Sequence, residues 1–246
     1  MELVVEHFRA KAGTFEVVID KFEVRTGEIG CVLGRSGSGK TTFLQGLAGF
    51  IPVEATTQIL SGGEHSEMLP PEKRKFAIVL QRPTLFPHLS VRGNVGYSLR
   101  FQSLSKAERR RREDLWMERS DLLALADRRP EALSQGQQQR VAFARALATG
   151  YSVLLLDEPF AALDVQSRVE LRGVLKRLVT EARVATVLVT HHPEDARAVS
   201  DHVLVVDSGK VLWRGKLTQE TEIPVVVREL LSGERTPAAA APQRAH

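Results

Sequence analysis

The chain has 246 residues, of which 43% are hydrophobic, so it can bury a sizeable core and fits one α/β domain with insertions. Its 34 basic and 30 acidic residues give a formal net charge of +4, a balance that argues against nucleic acid as a partner. A single cysteine, Cys31, excludes an internal disulfide and suits a reducing cytosol. Because no basic leader precedes an apolar stretch and no uncharged apolar run reaches about 18 residues, we expect neither a cleaved signal nor a membrane span.

Short apolar runs rich in β-branched residues recur along the chain. They lie at 15–24, 29–33, 76–80, 153–156, 184–189 and 203–206. Several are too continuously apolar to have a solvated face, which is typical of strands covered on both sides. Between two of these strands, apolar residues at three- and four-residue steps predict a helix. These residues are Leu171, Val174, Leu175 and Leu178. The pattern therefore predicts an α/β fold.

Residues 83–150 have a different composition, rich in Arg, Glu, Gln, Leu and Ala, which predicts an inserted helical subdomain. The basic run 109–112 follows Ser105 and Glu108, which form a capping-box signature. We therefore interpret the run as a solvated helix face rather than a nucleic-acid site. The composition shifts again at residues 233–246, which we predict to be a disordered tail.

The segment 34–41 fits the pattern G-x-x-x-x-G-K-[ST] and lies between the apolar run 29–33 and a helical pattern. Its glycines permit a tight turn whose amides point at a polyphosphate, and the helix start favours the same anion. Lys40 is expected to reach the β- and γ-phosphates of ATP, and the Thr41 hydroxyl to ligate Mg²⁺. A glycine-rich turn with a chance lysine is the alternative. The predicted nucleotide-binding residues here are Gly34, Arg35, Ser36, Gly37, Ser38, Gly39, Lys40, Thr41 and Thr42.

Two carboxylates, Asp157 and Glu158, follow the apolar run 153–156. A buried strand that ends in acids places them at the carboxyl edge of a parallel sheet, where the phosphate-binding loop also opens. Asp157 can hold Mg²⁺, usually through water, and Glu158 can polarise the water that attacks the γ-phosphate. The alternative is that the two acids cap a turn before Pro159.

A third motif, at residues 133–137, reads Leu-Ser-Gln-Gly-Gln. Ser134 and Gln137 have capping-box spacing, so they predict the start of a helix. A helix start is also an anion site, and Ser134 with the Gly136 amide could accept a phosphate once their capping partners are exchanged.

Together, the motifs at 34–41, 133–137 and 157–158 resemble the nucleotide-binding subunit of an ATP-binding cassette (ABC) transporter, over residues 2–232. The resemblance implies a P-loop NTPase core of this family with a mainly parallel sheet, an N-terminal antiparallel β subdomain and the helical insertion at about 83–150. It implies one ATP-binding domain, residues 1–232, before the tail at 233–246. Only 14 residues follow Ser232, so we expect no C-terminal regulatory domain.

The resemblance assigns further roles, residue by residue. Gln81 matches a glutamine that contacts Mg²⁺ and the attacking water, and His191 matches a histidine that contacts the γ-phosphate. Without the resemblance, both would be interpreted as ordinary satisfied polar residues. Asp164 matches a loop that crosses to a second subunit, and Ser134, Gly136 and Gln137 match the signature that grips the ATP of that subunit. The departures from the family pattern are Gln135, Ala161 and His192.

An aromatic residue stacks on the adenine in this family. Phe15 lies at a plausible distance before the phosphate-binding loop, and Phe8 is the weaker choice. The alternative for Phe15, a phenylalanine of a core strand, has equal weight.

Residues 85–91 resemble importer ATPases for small anions, metal ions, polyamines, sugars or thiamine. Leu85, Phe86 and Leu89 would supply an apolar docking surface for a membrane subunit, unless they fold back onto the helical subdomain. The resemblance implies an ATP-hydrolysing importer subunit, peripheral on the cytoplasmic face of the inner membrane. Its partners would be a second copy, bound head to tail, transmembrane permease subunits and, indirectly, a solute-binding protein. The alternative is a soluble ABC ATPase that is not coupled to transport. A nucleotide kinase or small GTPase is disfavoured because it lacks the motif at 133–137.

Overall fold

A computed structural model describes residues 2–217 together with Val227 and Glu229, so the predicted tail at 233–246 lies outside the described residues. The strands are β1 Glu2–Ala12, β2 Phe15–Arg25, β3 Ile29–Leu33, β4 Gln58–Ser61, β5 Glu64–His65, β6 Phe76–Val79, β7 Val153–Asp157, β8 Ala185–Thr190, β9 His202–Asp207 and β10 Lys210–Gly215. The helices are α1 Lys40–Ala48, α2 Val91–Val95, α3 Lys106–Arg119, α4 Gln135–Ala148, α5 Val165–Ala182 and α6 Pro193–Val199. The 3₁₀ turns are Pro71–Lys73, Ser98–Phe101, Leu123–Leu125 and Pro130–Ala132.

The described strands form one sheet in the order β5-β4-β1-β2-β10-β9-β3-β8-β7-β6. From β9 to β6 the neighbours run parallel. At the other end, β1 runs antiparallel to β2 and β4, and β4 runs antiparallel to β5. The predicted α/β fold, with a parallel core and an N-terminal antiparallel part, is confirmed.

The central strands are covered on both faces, as their continuous apolar character predicts. All residues of β3 and β8 are buried. Alternate side chains of β3 belong to different cores, since Cys31 and Leu33 pack on one face and Val32 on the other. Cys31 is fully buried as a small core residue, and burial raises the pKa of its thiol to about 12.

Helices α2 to α6 belong to the core on one face of the sheet, where α2 and α3 pack on α4. Helix α1 and the antiparallel strands form the core on the other face. On the α1 side, the Phe43 ring meets Phe8 edge-on with centroids 4.8 Å apart, and Phe22 at 5.6 Å. Such pairs contribute about 0.5–1.5 kcal/mol each beyond the area they bury. The N-terminal strands are therefore packed onto the helix that follows the phosphate-binding loop.

Residues 80–152, all of them described, contain helices and turns and no strand. Within this segment α3 begins with the predicted capping box of Ser105 and Glu108, and Arg110 and Arg111 lie exposed on its surface. The four apolar residues predicted for the helix before β8 are all buried in α5. Among the described helices, none combines the length and apolar character that crossing a bilayer requires.

Several strands were not identified by periodicity, namely β1, β4, β5 and β10. They lie in the antiparallel part of the sheet or next to it, and their exposed faces carry polar residues, so they give no continuous apolar run. Strand β6 is one residue shorter than expected because Leu80 has left the sheet and is 42% exposed.

Candidate functional site

The loop at 34–41 joins β3 to α1 at the carboxyl edge of the parallel sheet. Gly39, the last residue before α1, has φ 104°, and a Cβ there would lie 2.5 Å from Val17 Cγ2. A Cβ on Gly34 would lie 2.3 Å from the Val206 carbonyl oxygen. Because real Cβ atoms do not approach so closely, the loop holds this shape only with glycine at both positions.

Lys40 is 5% exposed, and its Nζ donates a hydrogen bond to the Arg35 carbonyl oxygen at 2.9 Å. Burial lowers the pKa of Lys40, and the charges of Glu158 and Asp157 oppose that effect. The loop thus encloses a cation at its own centre. An anion that enters the loop meets this ammonium already desolvated, where the Coulomb attraction is strong.

The remaining residues of the loop divide between a buried floor and an open rim. The Ser38 side chain is buried, and its hydroxyl has no hydrogen-bond partner within the described part of the chain. The Ser38 carbonyl accepts a hydrogen bond from Gly209 N at 3.0 Å, so the β9–β10 turn supports the loop from behind. Exposed residues form the rim: Arg35, Ser36, Gly37 and Thr41, with Thr42 half-buried beside them. A buried hydroxyl that lacks a hydrogen-bond partner, below exposed loop residues, fits a site for a polyphosphate ligand.

The structure separates the two aromatic candidates for adenine stacking. Phe8 is fully buried between β1 and α1, so it is inaccessible and the weaker choice is wrong. Phe15 is half-buried, and its Cε1 lies 3.1 Å from where a Cβ of Gly39 would be. Phe15 therefore flanks the phosphate-binding loop, the position that stacking requires.

Asp157 ends β7 and is half-buried at the same sheet edge. Burial is the main cause that raises the pKa of this carboxyl, followed by the charge of Glu158, and Lys40 acts in the opposite direction. Val79 pairs with Leu156, so the exposed Gln81 lies beyond the end of β6 at the same edge.

Thr41, Gln81 and Asp157 offer hard oxygen donors, which fit Mg²⁺. The described residues contain no group of three or more His, Cys, Asp or Glu side chains placed to hold a metal. A site with a single carboxylate suits Mg²⁺, because this ion keeps several waters and takes phosphate oxygens as ligands.

Glu158 and His191 are brought together, although 33 positions separate them in the sequence. His191 Nδ1 lies 2.7 Å from Glu158 Oε2, the distance of a charge-assisted hydrogen bond. Glu158 has φ 43°, and its backbone N donates to the Val189 carbonyl at 3.0 Å. A left-handed conformation outside glycine costs about 1–3 kcal/mol and clusters at functional sites.

The motif at 133–137 forms the start of α4, as predicted. Ser134 Oγ accepts from Gln137 N at 3.2 Å, and Gln137 Oε1 accepts from Ser134 N at 3.1 Å. Beside it lies a small cavity of about 240 Å³. The cavity is lined only by α4, its cap and α5, through Ser134, Gly136, Gln137, Arg140, Ser167, Glu170 and Leu171. The residues of the phosphate-binding loop, all of them described, do not line this cavity.

Asp164 lies near the motif at 133–137. It caps α5 by accepting a hydrogen bond from Ser167 N at 3.0 Å, and hydrogen bonds from Ser167 hold the pKa of its carboxyl below the usual value. A Cβ on Gly136 would lie 3.8 Å from Ser167 Cβ. Asp164 is thus adjacent to the motif at 133–137 through Ser167.

Sequence reasoning missed the residues that hold the His191 segment, namely Arg172, Thr190 and Asp195. Asp195 is 1% exposed and pairs with Arg172. The available signal was an acidic helix start after Pro193, which does not indicate that Asp195 is buried.

The sequence model of a family described as ABC transporter matches residues 19–161. A spermidine/putrescine import ATP-binding protein, PotA of Nitratidesulfovibrio vulgaris, is 46% identical over 202 residues, covering 82% of this chain and 55% of that protein. A sulfate/thiosulfate import ATP-binding protein, CysA of Nocardia farcinica, is 40% identical over 210 residues, covering 85% of this chain and 63% of that protein. The chain therefore spans between about half and two thirds of the length of these relatives.

Among solved structures, cbiO1 from Clostridium perfringens superimposes with a TM-score of 0.82 at 27% identity, covering 93% of each chain. It is described as part of the ABC transporter complex cbiONQ.

Proposed function

Because this chain belongs to the ABC transporter family, we propose that it is the ATP-hydrolysing, nucleotide-binding subunit of an importer for a small solute. The main support is the phosphate-binding loop around Lys40. It lies at the same edge of the sheet as Asp157 and the Glu158–His191 pair. The names of the two relatives, both import ATP-binding proteins, favour import over a soluble ATPase.

In this proposal, the loop amides and Lys40 bind the β- and γ-phosphates, and Phe15 stacks on the adenine. Thr41, Asp157 and Gln81 hold Mg²⁺, which, when bound, neutralises charge on the phosphates. Glu158 acts as the general base toward the attacking water. His191, at hydrogen-bond distance from the Glu158 carboxylate, fixes the orientation of that base.

A second copy completes the site. Ser134 and Gln135 are exposed, Gly136 and Gln137 are half-buried, and the phosphate-binding loop of the same chain does not line the cavity beside them. We therefore infer that Ser134, Gly136 and Gln137 grip the ATP of the other copy, with Asp164 crossing between them. The arrangement is a head-to-tail dimer with two shared sites. ATP favours the closed dimer because it makes contacts with both surfaces only in that state.

The membrane partner is proposed to dock beside residues 85–91. Leu85 packs on the core, as the alternative predicted. Phe86 is half-buried, with its ring 4.1 Å from that of Tyr97, and Tyr97 in turn contacts Phe101, which is 76% exposed. These three rings form an apolar strip that suits a helix of permease subunits. Docking there places the chain on the cytoplasmic face of the membrane, with a solute-binding protein as an indirect partner.

Hydrolysis by Glu158 is tested with Glu158→Gln. The variant should keep its ATP affinity, hydrolyse ATP roughly 10²-fold more slowly or worse, and elute as a dimer with Mg-ATP in size exclusion. The matched control is Glu181→Gln, which changes an exposed carboxylate paired with Arg119 and outside the cavity beside the motif at 133–137. If Glu158→Gln and Lys40→Ala both elute only as monomers in the presence of Mg-ATP, the shared-site dimer is contradicted.

Docking is tested with Phe86→Asp, compared with Phe50→Asp, which changes an exposed phenylalanine after α1. Both variants should keep basal ATPase activity. Only Phe86→Asp should lose co-purification with the permease subunits and solute uptake. Normal uptake and co-purification in the Phe86→Asp strain would reject this docking surface. Normal uptake in a strain that lacks the chain would favour a soluble ABC ATPase.

A further inference from the structure

A buried ion pair links α5 to α6 behind the His191 segment. Arg172 donates from Nε to Asp195 Oδ1 at 2.8 Å, and its Nη2 contacts the same oxygen. The Asp195 side chain is 1% exposed and that of Arg172 12%. A carboxylate removed from water to this extent is stabilised only by its charged and hydrogen-bonding partners, so its position is tightly determined.

The second oxygen of Asp195 connects the ion pair to β8. Thr190 Oγ1 donates to Asp195 Oδ2 at 3.4 Å and accepts from His192 N at 3.1 Å. The Thr190 carbonyl accepts from Gly34 N at 3.3 Å. His191 therefore lies between two anchored peptide groups, with the phosphate-binding loop on one side and the ion pair on the other.

Helix α5 also connects the ion pair to the surroundings of the motif at 133–137. Arg172 lies on α5, whose first turn is capped by Asp164, the residue proposed to cross to the other copy. A rigid helix thus runs from the expected dimer contact to the carboxylate that anchors the His191 segment. A movement of α5 would reach His191 through Asp195 and Thr190.

We propose that Arg172, Asp195 and Thr190 form a positioning clamp that holds the His191 ring within hydrogen-bond distance of Glu158. This inference rests on the proposed ATP hydrolysis. The three clamp residues are not among those proposed to bind the nucleotide. They act on turnover by fixing the general base through His191, and a misplacement of about 1 Å at a catalytic group can lower the rate about 100-fold.

The first test replaces the linking hydroxyl by a methyl group. Thr190→Val keeps the β-branched shape in the buried strand, whereas Thr190→Ser restores the hydroxyl. We expect kcat to fall about tenfold or more in Thr190→Val, with ATP affinity within about twofold of wild type, and to recover in Thr190→Ser. Arg177→Met is the control, because it removes an exposed ion pair of the same helix with Asp121 and should leave kcat unchanged.

The second test asks whether the clamp acts through His191. In a His191→Ala background, Thr190→Val should lower kcat no further, since the group it positions is absent. An equal further loss there, unchanged kcat in Thr190→Val alone, or failure of Thr190→Ser to recover would overturn the clamp. Should Thr190→Val not fold, Thr190→Ala carries the same cycle, because it also removes the hydroxyl that donates to Asp195.

A readout independent of turnover separates failure of the clamp from failure of the proposed function. The ring-nitrogen NMR signals of His191 in the nucleotide-free protein report its hydrogen bond to Glu158. They should shift in Thr190→Val toward those of Glu158→Gln and stay in place in Arg177→Met. Absence of ATPase activity in the wild-type chain would reject the proposed function, while unshifted His191 signals in Thr190→Val would reject the clamp.

Discussion

The starts of helices α1 and α4 were both predicted to bind phosphate, yet their first backbone amides differ in whether a side chain caps them. Helix α1 begins after Gly39 with no side-chain cap, and the buried Lys40 follows at once. Helix α4 begins with Ser134 and Gln137 capping each other, next to a small open cavity. The same backbone dipole thus gives a preformed anion site at α1 and a self-satisfied surface at α4.

The difference lies in what occupies the free amides. At α1 the first backbone N–H groups have no side-chain partner and are available to a ligand. At α4 the Ser134 hydroxyl already takes one amide, and a cap of this kind contributes about 1 kcal/mol. A phosphate at α4 must displace or share that bond, so it needs a second source of binding energy. In the proposed dimer, the other copy supplies it.

The largest expected effect is that of Lys40→Ala, which removes the cation of the preformed site. Nucleotide affinity and hydrolysis should both be lost, because the charge at the β- and γ-phosphates is gone. Equilibrium binding of labelled ATP measures this directly. Near-normal affinity in the variant would mean that α1 is not the primary anion site and would remove the distinction between the two helix starts.

Ser134→Arg tests the other half of the comparison. A bulky cation at the α4 start should abolish hydrolysis by filling the γ-phosphate position of the partner copy, while leaving ATP binding to the loop largely intact. Mixing this variant with Lys40→Ala should give at most one competent site per mixed dimer, seen as partial recovery of ATPase activity. If ATP affinity disappears together with activity in Ser134→Arg alone, misfolding explains the loss instead.

Two glycine substitutions sharpen the contrast in stability. Gly39→Ala places a Cβ 2.5 Å from Val17 at φ 104°, so it should cost about 1–2 kcal/mol for the left-handed backbone and about 1–3 kcal/mol for overpacking. Gly136→Ala lies in α4 and meets only Ser167, at an ordinary 3.8 Å, so it should be at least as stable as wild type, because alanine favours a helix over glycine. Chemical denaturation compares them. Equal stability losses would show that the α4 start is as tightly enclosed as the loop.

The smallest effects concern the carboxylates of the two sites and their pH dependence. Burial raises the pKa of Asp157, so its ionised form destabilises the fold at neutral pH. Asp157→Asn should therefore be more stable than wild type at pH 7. This advantage should shrink as the pH falls toward 3.8, the ordinary pKa of an aspartate, because the folded protein binds the Asp157 proton at a higher pH than the unfolded chain does.

Asp164 has the opposite sign. Hydrogen bonds from Ser167 lower the pKa of Asp164 below the ordinary aspartate value of 3.8. Its contribution to the stability of the fold is therefore present above pH 3.8 and is lost only as the pH falls through the lower pKa of the folded state. Asp164→Ala should be less stable than wild type by an amount that stays constant between pH 7 and pH 4.5 in urea unfolding curves. Parallel pH trends for the two variants would contradict the assigned environments.

The sequence by itself determined the features that depend on residues within about one helical turn of each other. The capping boxes at Ser105 and Ser134 and the buried stripe of α5 form as predicted, because their partners are three or four positions apart. The phosphate-binding loop was also predicted from the sequence, because its glycines, Lys40 and Thr41 lie within one short segment and the flanking strand and helix each show their own periodicity.

Only the tertiary structure decided which distant residues meet. It buries Phe8 and leaves Phe15 beside the loop, although both precede the loop in similar strands. It places His191 against Glu158 and ties Thr190 to Asp195 and Arg172. These contacts depend on strand order and on the packing of α5 and α6, which no local period encodes. Strands β1, β4, β5 and β10 escaped prediction because they lie in or beside the antiparallel part of the sheet, where an exposed face carries polar residues and no continuous apolar run forms.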